Sequence, residues 1–345
     1  MVTGRLCLRW LGRNCRSFHC QPPLLQRLVE VGKLETPQPD ERYKAGQLFL
    51  HRVFGYRGVI LLPWTARVFD RDLHGGTVVS NKEKDLIGQE QLKGLKAEEL
   101  SYYQVLIDQR DFPFMRSQPE GITFLADKDN SSLYTVSGLD YVSHEEVLPY
   151  TSTDSDEPFR HELFEQFLVP SADESKISYA PRDALRAWQE KNIQWLEWTD
   201  VHRETTKGIR VTVIPFYVGY KAMNPGSSSN GGSGGNTSSH VHWWRYNIRL
   251  ENLAGERVQL RERYWKIYST SGTLETVKGK GVVGQEPILT ARQPAFQYSS
   301  HVSLQSPSGH MWGTYRMERQ DGKLFDIRIP PFMLESNRSG SSRNK

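Results

Sequence analysis

Alternation of apolar and polar residues in the second half of the chain is the feature that most restricts its fold. Every second residue from Ile209 to Tyr217 is apolar, aromatic or proline, and residues 244–250 repeat that spacing with arginine and asparagine between. A period of two places alternate side chains on opposite faces of a β-strand. These runs therefore predict strands with one buried face and one solvated face.

Further runs in this half follow the same pattern. The apolar residues Val258 and Leu260 occupy even positions, whereas Trp265 and Ile267 occupy odd positions. This change in the alternation predicts a β-bulge between the two pairs. Roughly seven short strands with turns at this spacing predict a β-sandwich. Residues 224–239, rich in glycine and serine, predict a flexible hairpin loop. The later strand-like runs are residues 295–304, 311–318 and 324–329.

The first half predicts a second, smaller β unit. A glycine turn at residues 54–58 and short strands with long polar connections are typical of a small bent antiparallel barrel. The Lys/Glu-rich stretch 74–100 predicts a long surface loop with some helix near residues 92–100. The strand-like runs are residues 46–51, 59–64, 102–108, 122–125 and 133–136.

Helices are predicted between the two β units. Residues 160–168 carry apolar side chains on one face, with Asp154 or Asp156 as the expected cap. Residues 181–198 form the stronger pattern, because Pro181 suits a first turn and an aromatic stripe recurs at helical spacing. Such a stripe is typical of packing, so we interpret this helix as a cover or linker. The stripe consists of Leu185, Trp188, Asn192, Trp195 and Leu196.

The N-terminal segment differs in charge from the rest of the chain. The sequence has 44 Lys+Arg against 40 Asp+Glu, and the whole excess lies in residues 1–18, which hold four arginines and no acidic residue. Arginines interleaved with leucines predict a mitochondrial presequence with cleavage near residue 18. A disordered basic tail is the alternative, and a secretory signal fits worse because arginines interrupt every apolar run. The arginines are Arg5, Arg9, Arg13 and Arg16.

Composition excludes several classes of protein. Without the N-terminal segment the positive and negative charges balance, so the body lacks the basic charge typical of proteins that bind phosphate backbones. All three cysteines lie within the first 20 residues, which excludes a disulfide framework, a Cys-ligated zinc or a cysteine nucleophile in the body. No apolar run approaches the roughly 18 residues that span a bilayer, so no membrane association is expected.

One glycine motif could carry chemistry. Gly279, Lys280, Gly281 and Gly284 spell the literal pattern G-x-G-x-x-G. A dinucleotide site needs a helix directly after these glycines, whereas Pro287 follows here. A tight structural loop is therefore favoured, and anion binding by backbone N–H groups flanked by Lys278 and Lys280 stays the alternative.

The remaining candidates predict no catalytic or metal site. His240 and His242 share one strand face, as two zinc ligands would, but no third ligand is in view. No serine lies in a G-x-S-x-G elbow and no H-E-x-x-H pattern occurs. Arg257, Arg261 and Arg263 could form a basic face for nucleic acid, although alternate charges are more typical of a solvated face. We expect no catalytic residue, no metal and no cofactor.

Ordered motifs in each half resemble two known families. Gly279 to Pro287, Phe296 to Ser300, Gly309 to Tyr315 and Ile329 to Phe332 resemble the ApaG domain in order and spacing. Gly46-Gln47, His51, residues 55–59 and residues 102–105 resemble the YccV/HspQ family, named for binding hemimethylated DNA. The family-motif residues are His51, Gly55, Tyr56, Gly58, Tyr298, Gly309, Gly313, Pro330 and Phe332.

These resemblances imply a fold and a division of the chain. The fold is mainly β: a small bent YccV-like antiparallel barrel plus an immunoglobulin/fibronectin-like ApaG sandwich, with helices between them. The expected segments are a presequence (1–18), a flexible leader (19–43), a YccV/HspQ-like domain (44–150), a helical linker (151–200), an ApaG-like sandwich (201–335) and a disordered tail (336–345).

The two domains together, behind a presequence, resemble an animal family of non-enzymatic adaptors found in the mitochondrial matrix and the nucleus. That resemblance implies binding to the small subunit of DNA polymerase delta, the sliding clamp, the primase-polymerase of damage tolerance and the mitochondrial ClpX unfoldase. Direct DNA binding is the alternative function. A phosphate-binding enzyme that uses the glycine loop is a further alternative.

Overall fold

A computed structural model describes residues 30–72, 97–115, 120–124, 133–154, 156–171, 178–223 and 239–336. The described residues from Gly32 onward belong to one compact unit. The predicted presequence, the greater part of the 74–100 loop, residues 224–238 and the tail beyond Ser336 lie outside the described residues. In the described part of the chain no helix is long and apolar enough to cross a membrane.

The first half is built from short antiparallel strands around one long strand. The long strand β3 pairs with β2 near its start and with β4 along most of its length, and β4 pairs in turn with β7. The strands are β1 (Gly32–Leu34), β2 (Leu48–His51), β3 (Arg57–Asp70), β4 (Glu98–Ile107), β5 (Glu120–Phe124), β6 (Leu133–Ser137), β7 (Leu139–Ser143) and β8 (Val147–Ser152). Two 3-10 helices, Gln109–Phe114 and His144–Glu146, complete this half.

A β-bulge bends the long strand. The register between β3 and β4 shifts between Ile60 and Leu62, and the carbonyl of Leu61 accepts a hydrogen bond of 2.6 Å from the Gln189 side chain. A bulge increases strand bending and leaves one residue outside the ladder. Gln189 therefore satisfies the backbone group that the bulge frees.

The connecting segment differs in part from the predicted helices. The 160–168 prediction is wrong except for one turn, α1 (Phe164–Phe167), because Leu168 continues as β9 (Leu168–Pro170) and pairs with β10 (Tyr179–Pro181). The predicted cap is also wrong, since Asp154 accepts backbone N–H groups of a local turn at residues 156 and 157. The long helix is confirmed as α2 (Asp183–Glu197), but Pro181 ends β10 and Arg182 precedes the helix. Helix near residues 92–100 is contradicted over 98–100, which begin β4.

The second half is the predicted β-sandwich. One sheet contains β11, β12, β13 and β17, and the other contains β15, β14, β18 and β19, with β16 beside β14. The β14–β18 register shifts between Leu260 and Glu262, which confirms the predicted bulge. The strands are β11 (Asp200–Thr206), β12 (Ile209–Met223), β13 (Ser239–Asn252), β14 (Val258–Ser269), β15 (Leu274–Lys280), β16 (Ile288–Leu289), β17 (Ala295–Leu304), β18 (Ser308–Arg319) and β19 (Leu324–Glu335).

One sheet passes from the first half into the second. The end of β3 pairs in parallel with β11, with Arg67 opposite Asp200 and Asp70 opposite Arg203. The α2 stripe packs on the first half, and Trp195 also stacks on Phe216 of β12 at 5.0 Å between ring centroids. Main-chain pairing and helix packing thus both join the halves.

The solvated face predicted for β13 is largely buried. Asn247, Arg249 and Glu251 are 6 to 8% exposed, although they alternate with the sandwich core residues as the sequence predicts. The first half covers them, as Arg249 contacts Glu146 and Tyr141. The polar face of this strand is therefore a contact between the two halves.

Candidate functional site at the junction of the two halves

A cavity of about 240 Å³ lies where the first half meets the sheet of the second. Its lining combines side chains from β7 and the 3-10 helix His144–Glu146 with side chains from β11, β12, β13 and β17. Four arginines and four carboxylates line it, so their formal charges cancel. They are Arg52, Arg203, Arg210, Arg249, Asp140, Glu145, Glu146 and Glu251.

A buried ion pair between Arg249 and Glu146 forms the centre of the junction. The Arg249 guanidinium donates to Glu146 Oε1, to Gln297 Oε1 at 2.9 Å and to the Tyr141 carbonyl at 3.4 Å. Glu146 Oε2 also accepts the backbone N–H of Ser143 at 3.1 Å. Burial raises the pKa of Glu146, but the Arg249 charge and the hydrogen bonds from Arg249 and the Ser143 backbone are among the effects that together outweigh it and hold that pKa below its ordinary value. Both members therefore stay charged at neutral pH.

A second polar chain joins the YccV-like motif to the ApaG-like half. The Tyr56 hydroxyl donates to Asp140 Oδ2 at 2.8 Å, and Gln297 of β17 donates to Asp140 Oδ1 at 2.6 Å. Burial, followed by the Asp140 charge, raises the pKa of Tyr56 well above its ordinary value. Tyr56 thus remains a hydroxyl donor, and Asp140 connects one side chain from each half.

His51 shapes the loop that carries this motif. Its Nδ1 accepts the backbone N–H groups of Val53 and Phe54 at 3.1 and 3.2 Å. Burial lowers the pKa of His51 to about 4, so the ring is neutral near pH 7. Its Nε2 lies 3.8 Å from Glu146 Oε2, beyond hydrogen-bond distance. A neutral imidazole whose acceptor nitrogen already holds two N–H groups has a structural role here.

A groove of about 240 Å³, lined by both apolar and polar side chains, adjoins the charged cavity. The two share Val53, Asp140 and Gln297 in their linings. Phe114, at the end of a 3-10 helix, is 76% exposed and forms part of the groove wall. We call this the junction groove. Its apolar lining residues are Val53, Phe54, Phe114, Met115, Pro294, Ala295 and Phe296, and its polar ones are Asp140, Arg292, Gln293 and Gln297.

The ApaG-like motif residues lie in the sandwich core. Tyr298 and Tyr315 join their hydroxyls in a buried hydrogen bond, and Phe332 packs within about 6 Å of Tyr246 and Trp265. A Cβ added to Gly313 would lie 2.1 Å from the Tyr264 carbonyl oxygen. Of the YccV-like glycines, Gly58 is enclosed in the same way, because a Cβ there would meet the Phe49 ring at 2.5 Å, whereas a Cβ on Gly55 would meet nothing within 4 Å. Gly309 and Pro330 lie on β18 and β19, and Gly55 lies in the turn before β3.

The glycine motif forms a tight turn with no helix after it. Val282 and Gln285 exchange both backbone hydrogen bonds at 2.8 Å, and the two residues between them have φ of 42° and 76°, as a type I′ turn requires. The Gly281 N–H donates to the Arg261 carbonyl. Lys280 lies 3.4 Å from Glu286. Because these N–H groups are already bonded within the chain, the geometry favours the backbone role for the motif.

Two other sequence candidates meet partners within the fold. His242 Nδ1 lies 3.0 Å from the Tyr217 hydroxyl, and the described residues contain no group of three metal-ligating side chains. Arg261 pairs with Glu318 and Glu286, and Arg263 donates to the carbonyls of residues 280 and 281. The charges of Arg261 and Arg263 are therefore offset by acidic and carbonyl partners, and Arg257 precedes β14.

Sequence reasoning missed Asp140, Glu146 and Arg249. Each looks like an ordinary surface charge, because the partner that buries it lies more than 100 residues away in the chain. Only the position of Asp140 between apolar neighbours within β7 hinted that it is buried. His51 and Tyr56 of the YccV-like motif pointed to this region of the chain, but the sequence did not show which residues they contact.

Comparisons with known proteins match both halves. Residues 41–173 match the family described as hemimethylated DNA-binding protein YccV like, and residues 233–319 match the ApaG domain. The polymerase delta-interacting protein 2 of Mus musculus is 57% identical over 90% of this chain and 80% of its own length, and that of Homo sapiens is 56% identical over the same shares. Protein ApaG of Paramagnetospirillum magneticum is 40% identical over 39% of this chain and 94% of its own length.

Proposed function

The chain belongs to the polymerase delta-interacting protein 2 family, and from that premise we propose that it is a non-enzymatic adaptor that binds DNA replication and damage-tolerance proteins. The relatives' name supports polymerase delta as a partner. The observation that carries the proposal is the junction, where side chains able to do acid–base chemistry are paired with one another. What remains accessible beside them is the junction groove with its exposed Phe114.

The junction chemistry favours binding over catalysis. A general base works best with a pKa near the working pH and a free nitrogen or oxygen within reach of a substrate. His51 is 1% exposed, its pKa is lowered by burial to about 4, and its Nδ1 is already bonded. Glu146 is held ionised by Arg249. These groups stabilise a fixed relation between the two halves.

Direct DNA binding is the second candidate, and the description of the YccV-like family favours it. In this chain, however, two residues of that motif, His51 and Tyr56, are 1 and 2% exposed. The adjacent cavity carries equal numbers of positive and negative side chains. A DNA surface needs an excess of Lys and Arg, because neutralising phosphates supplies most of the affinity. The adaptor function is therefore better supported.

We extend the proposal to partners and compartments. The small subunit of DNA polymerase delta is the proposed occupant of the junction groove. The sliding clamp, the primase-polymerase and the mitochondrial ClpX unfoldase are further proposed partners. The proposed locations are the mitochondrial matrix, reached through residues 1–18, and the nucleus. A reporter fused to residues 1–18 should enter mitochondria, and changing its four arginines to glutamine should abolish import.

A binding assay with matched variants tests the groove. The full chain is immobilised, and the purified small subunit of polymerase delta is passed over it. Phe114→Ser should weaken binding by about tenfold or more, because exposed aromatic side chains are common binding hot spots. Leu324→Ser is the control, since Leu324 is 59% exposed and lies outside the groove.

Three results would count against the proposal. Equal loss in both variants would remove the groove as the binding surface. Absence of binding by the wild-type chain to the small subunit, with the clamp, primase-polymerase and ClpX also negative, would remove the adaptor function. Salt-sensitive binding of a hemimethylated duplex in a fluorescence anisotropy titration would instead favour the DNA-binding candidate.

A further inference from the structure

A small aromatic notch lies between the end of α2 and strands β12, β13 and β19. Its volume is about 70 Å³, and none of its lining residues lines the junction cavity or groove. Trp198, Tyr217 and Trp244 form its walls, with Trp195 beside them. Trp198 is 56% exposed, which is unusual for so large an apolar ring and leaves one wall open to solvent.

Hydrogen bonds hold the inner walls of the notch in place. The Trp195 indole N–H donates to the Tyr217 carbonyl at 2.9 Å, and the Trp244 indole N–H donates to the Glu335 carbonyl at 3.3 Å. Tyr217 and Trp244 lie 5.4 Å apart between ring centroids, and the Tyr217 hydroxyl meets His242. The rings are thus fixed before any ligand arrives, which reduces the entropy lost on binding.

The charged groups at the notch are acidic. Asp200 and Glu335 line it, and no lysine or arginine does. Arg67 binds Asp200 through three hydrogen bonds of 2.8 to 3.1 Å, so that carboxylate is already paired. Burial raises the pKa of Glu335, and Arg67 lowers it only in part. Glu335 thus brings a second, partly buried carboxylate to the notch.

We propose that this notch binds the lysine or arginine side chain of a partner protein. Aromatic faces attract cations through their quadrupoles, most strongly where the cation is partly desolvated, and the Glu335 carboxylate adds a charge partner. Pockets for whole small ligands usually hold about 300 to 1,000 Å³. A notch of about 70 Å³ accommodates only the end of a side chain. The inference rests on the proposed function in taking the cation's source to be a protein.

The test uses a probe that needs no partner. N-acetyl-lysine methylamide is titrated to tens of millimolar into the full chain labelled with ¹⁵N at its tryptophan indoles, and the arginine analogue is titrated in parallel. Signals of Trp195, Trp198 and Trp244 should move in a saturable way. Those of Trp64 and Trp188, buried in the core of the first half, should stay in place.

Variants separate recognition from chance contact. Trp198→Ala should weaken probe binding by about tenfold, Trp198→Phe should recover part of the loss, and Glu335→Gln should weaken it by several-fold. Trp243→Ala is the control, because Trp243 is 40% exposed but does not line the notch.

Two outcomes would overturn the inference. One is a norleucine analogue that binds as well as lysine, which would show an apolar contact without recognition of charge. The other is probe binding that Trp198→Ala leaves unchanged, or no binding at all. Because no polymerase subunit is present, these outcomes do not depend on whether the adaptor proposal holds.

Discussion

Replacement of Arg249 by methionine tests the junction most directly. Methionine keeps much of the arginine's aliphatic volume, so the loss is that of three donated hydrogen bonds and one charge. Glu146, which is only 7% exposed, is then left without its cation. Breaking a buried pair by removing one partner costs about 3–5 kcal/mol, because the remaining charge stays desolvated. We therefore expect Arg249→Met to lower the free energy of unfolding by about 4 kcal/mol.

A double-mutant cycle measures how far this loss belongs to the pair. The single variants Arg249→Met and Glu146→Gln and their combination are unfolded in urea at neutral pH and followed by tryptophan fluorescence. The double variant leaves no buried charge at this position. The decrease in its free energy of unfolding should therefore be smaller than the sum of the decreases in the two single variants, by at least about 2 kcal/mol.

An exposed ion pair supplies the control for this cycle. Arg316 pairs with Asp326 at 3.0 Å, with side chains 47 and 51% exposed. Arg316→Met should cost less than about 1 kcal/mol, because solvent screens exposed pairs. The reasoning is refuted if Arg249→Met costs no more than the control, or if the Arg249 and Glu146 losses add to within about 0.5 kcal/mol.

Four further predictions concern His51, the glycine motif and the loop between β12 and β13. Because the folded pKa of His51 is about 4 against an ordinary 6.5, the unfolded chain binds a proton that the folded chain excludes in that window. The free energy of unfolding should fall by up to about 3 kcal/mol as the pH drops from about 6.5 to about 4. In urea titrations at several pH values, His51→Gln should reduce this dependence on pH. Gly281→Val should cost more than about 2 kcal/mol, because φ is +55° and the new Cβ would lie 2.1 Å from the Gln285 carbonyl oxygen. Calorimetric titration of the wild-type chain with ATP should show no saturable heat, and micromolar binding would reopen the anion-site hypothesis. Replacing residues 226–238 by a tight turn should leave the melting midpoint nearly unchanged, since closure entropy varies slowly with loop length; a fall of many degrees would show that the loop contributes contacts.

The parts of the fold that were predictable have local sequence signatures. The sandwich strands were readable because one face of each is apolar, and the bulge in β14 was readable because the parity reverses within one run. Helix α2 was readable from its aromatic stripe. The strands β7 and β8 were missed, since polar residues interrupt their apolar pattern. The parallel pairing of β3 with β11 joins residues 133 positions apart, and no local pattern encodes such a contact.

The candidate site was predictable only in part, for the same physical reason. His51 and Tyr56 were singled out by their motif. Their partners Asp140 and Glu146 have the composition of a solvated surface, and Arg249 lies on the face of β13 that alternation predicts to be wet. Alternation shows which face of a strand lies toward the sandwich core and which face lies away from it. It does not show whether the opposite, polar face is covered by water or by a second domain.

That ambiguity bears on what the family motifs mean. A motif residue can be required by a ligand, by a core or by another domain, and the three requirements give the same sequence pattern. Here Tyr56 reaches Asp140, and Asp140 reaches Gln297 of the ApaG-like half. In this chain the sheet of the ApaG-like half covers the face that carries Tyr56 and Asp140. The proposed partner binding therefore falls to the surfaces left around the junction. The proposed adaptor function therefore depends on the rim of the motif, at Phe114, more than on the motif itself.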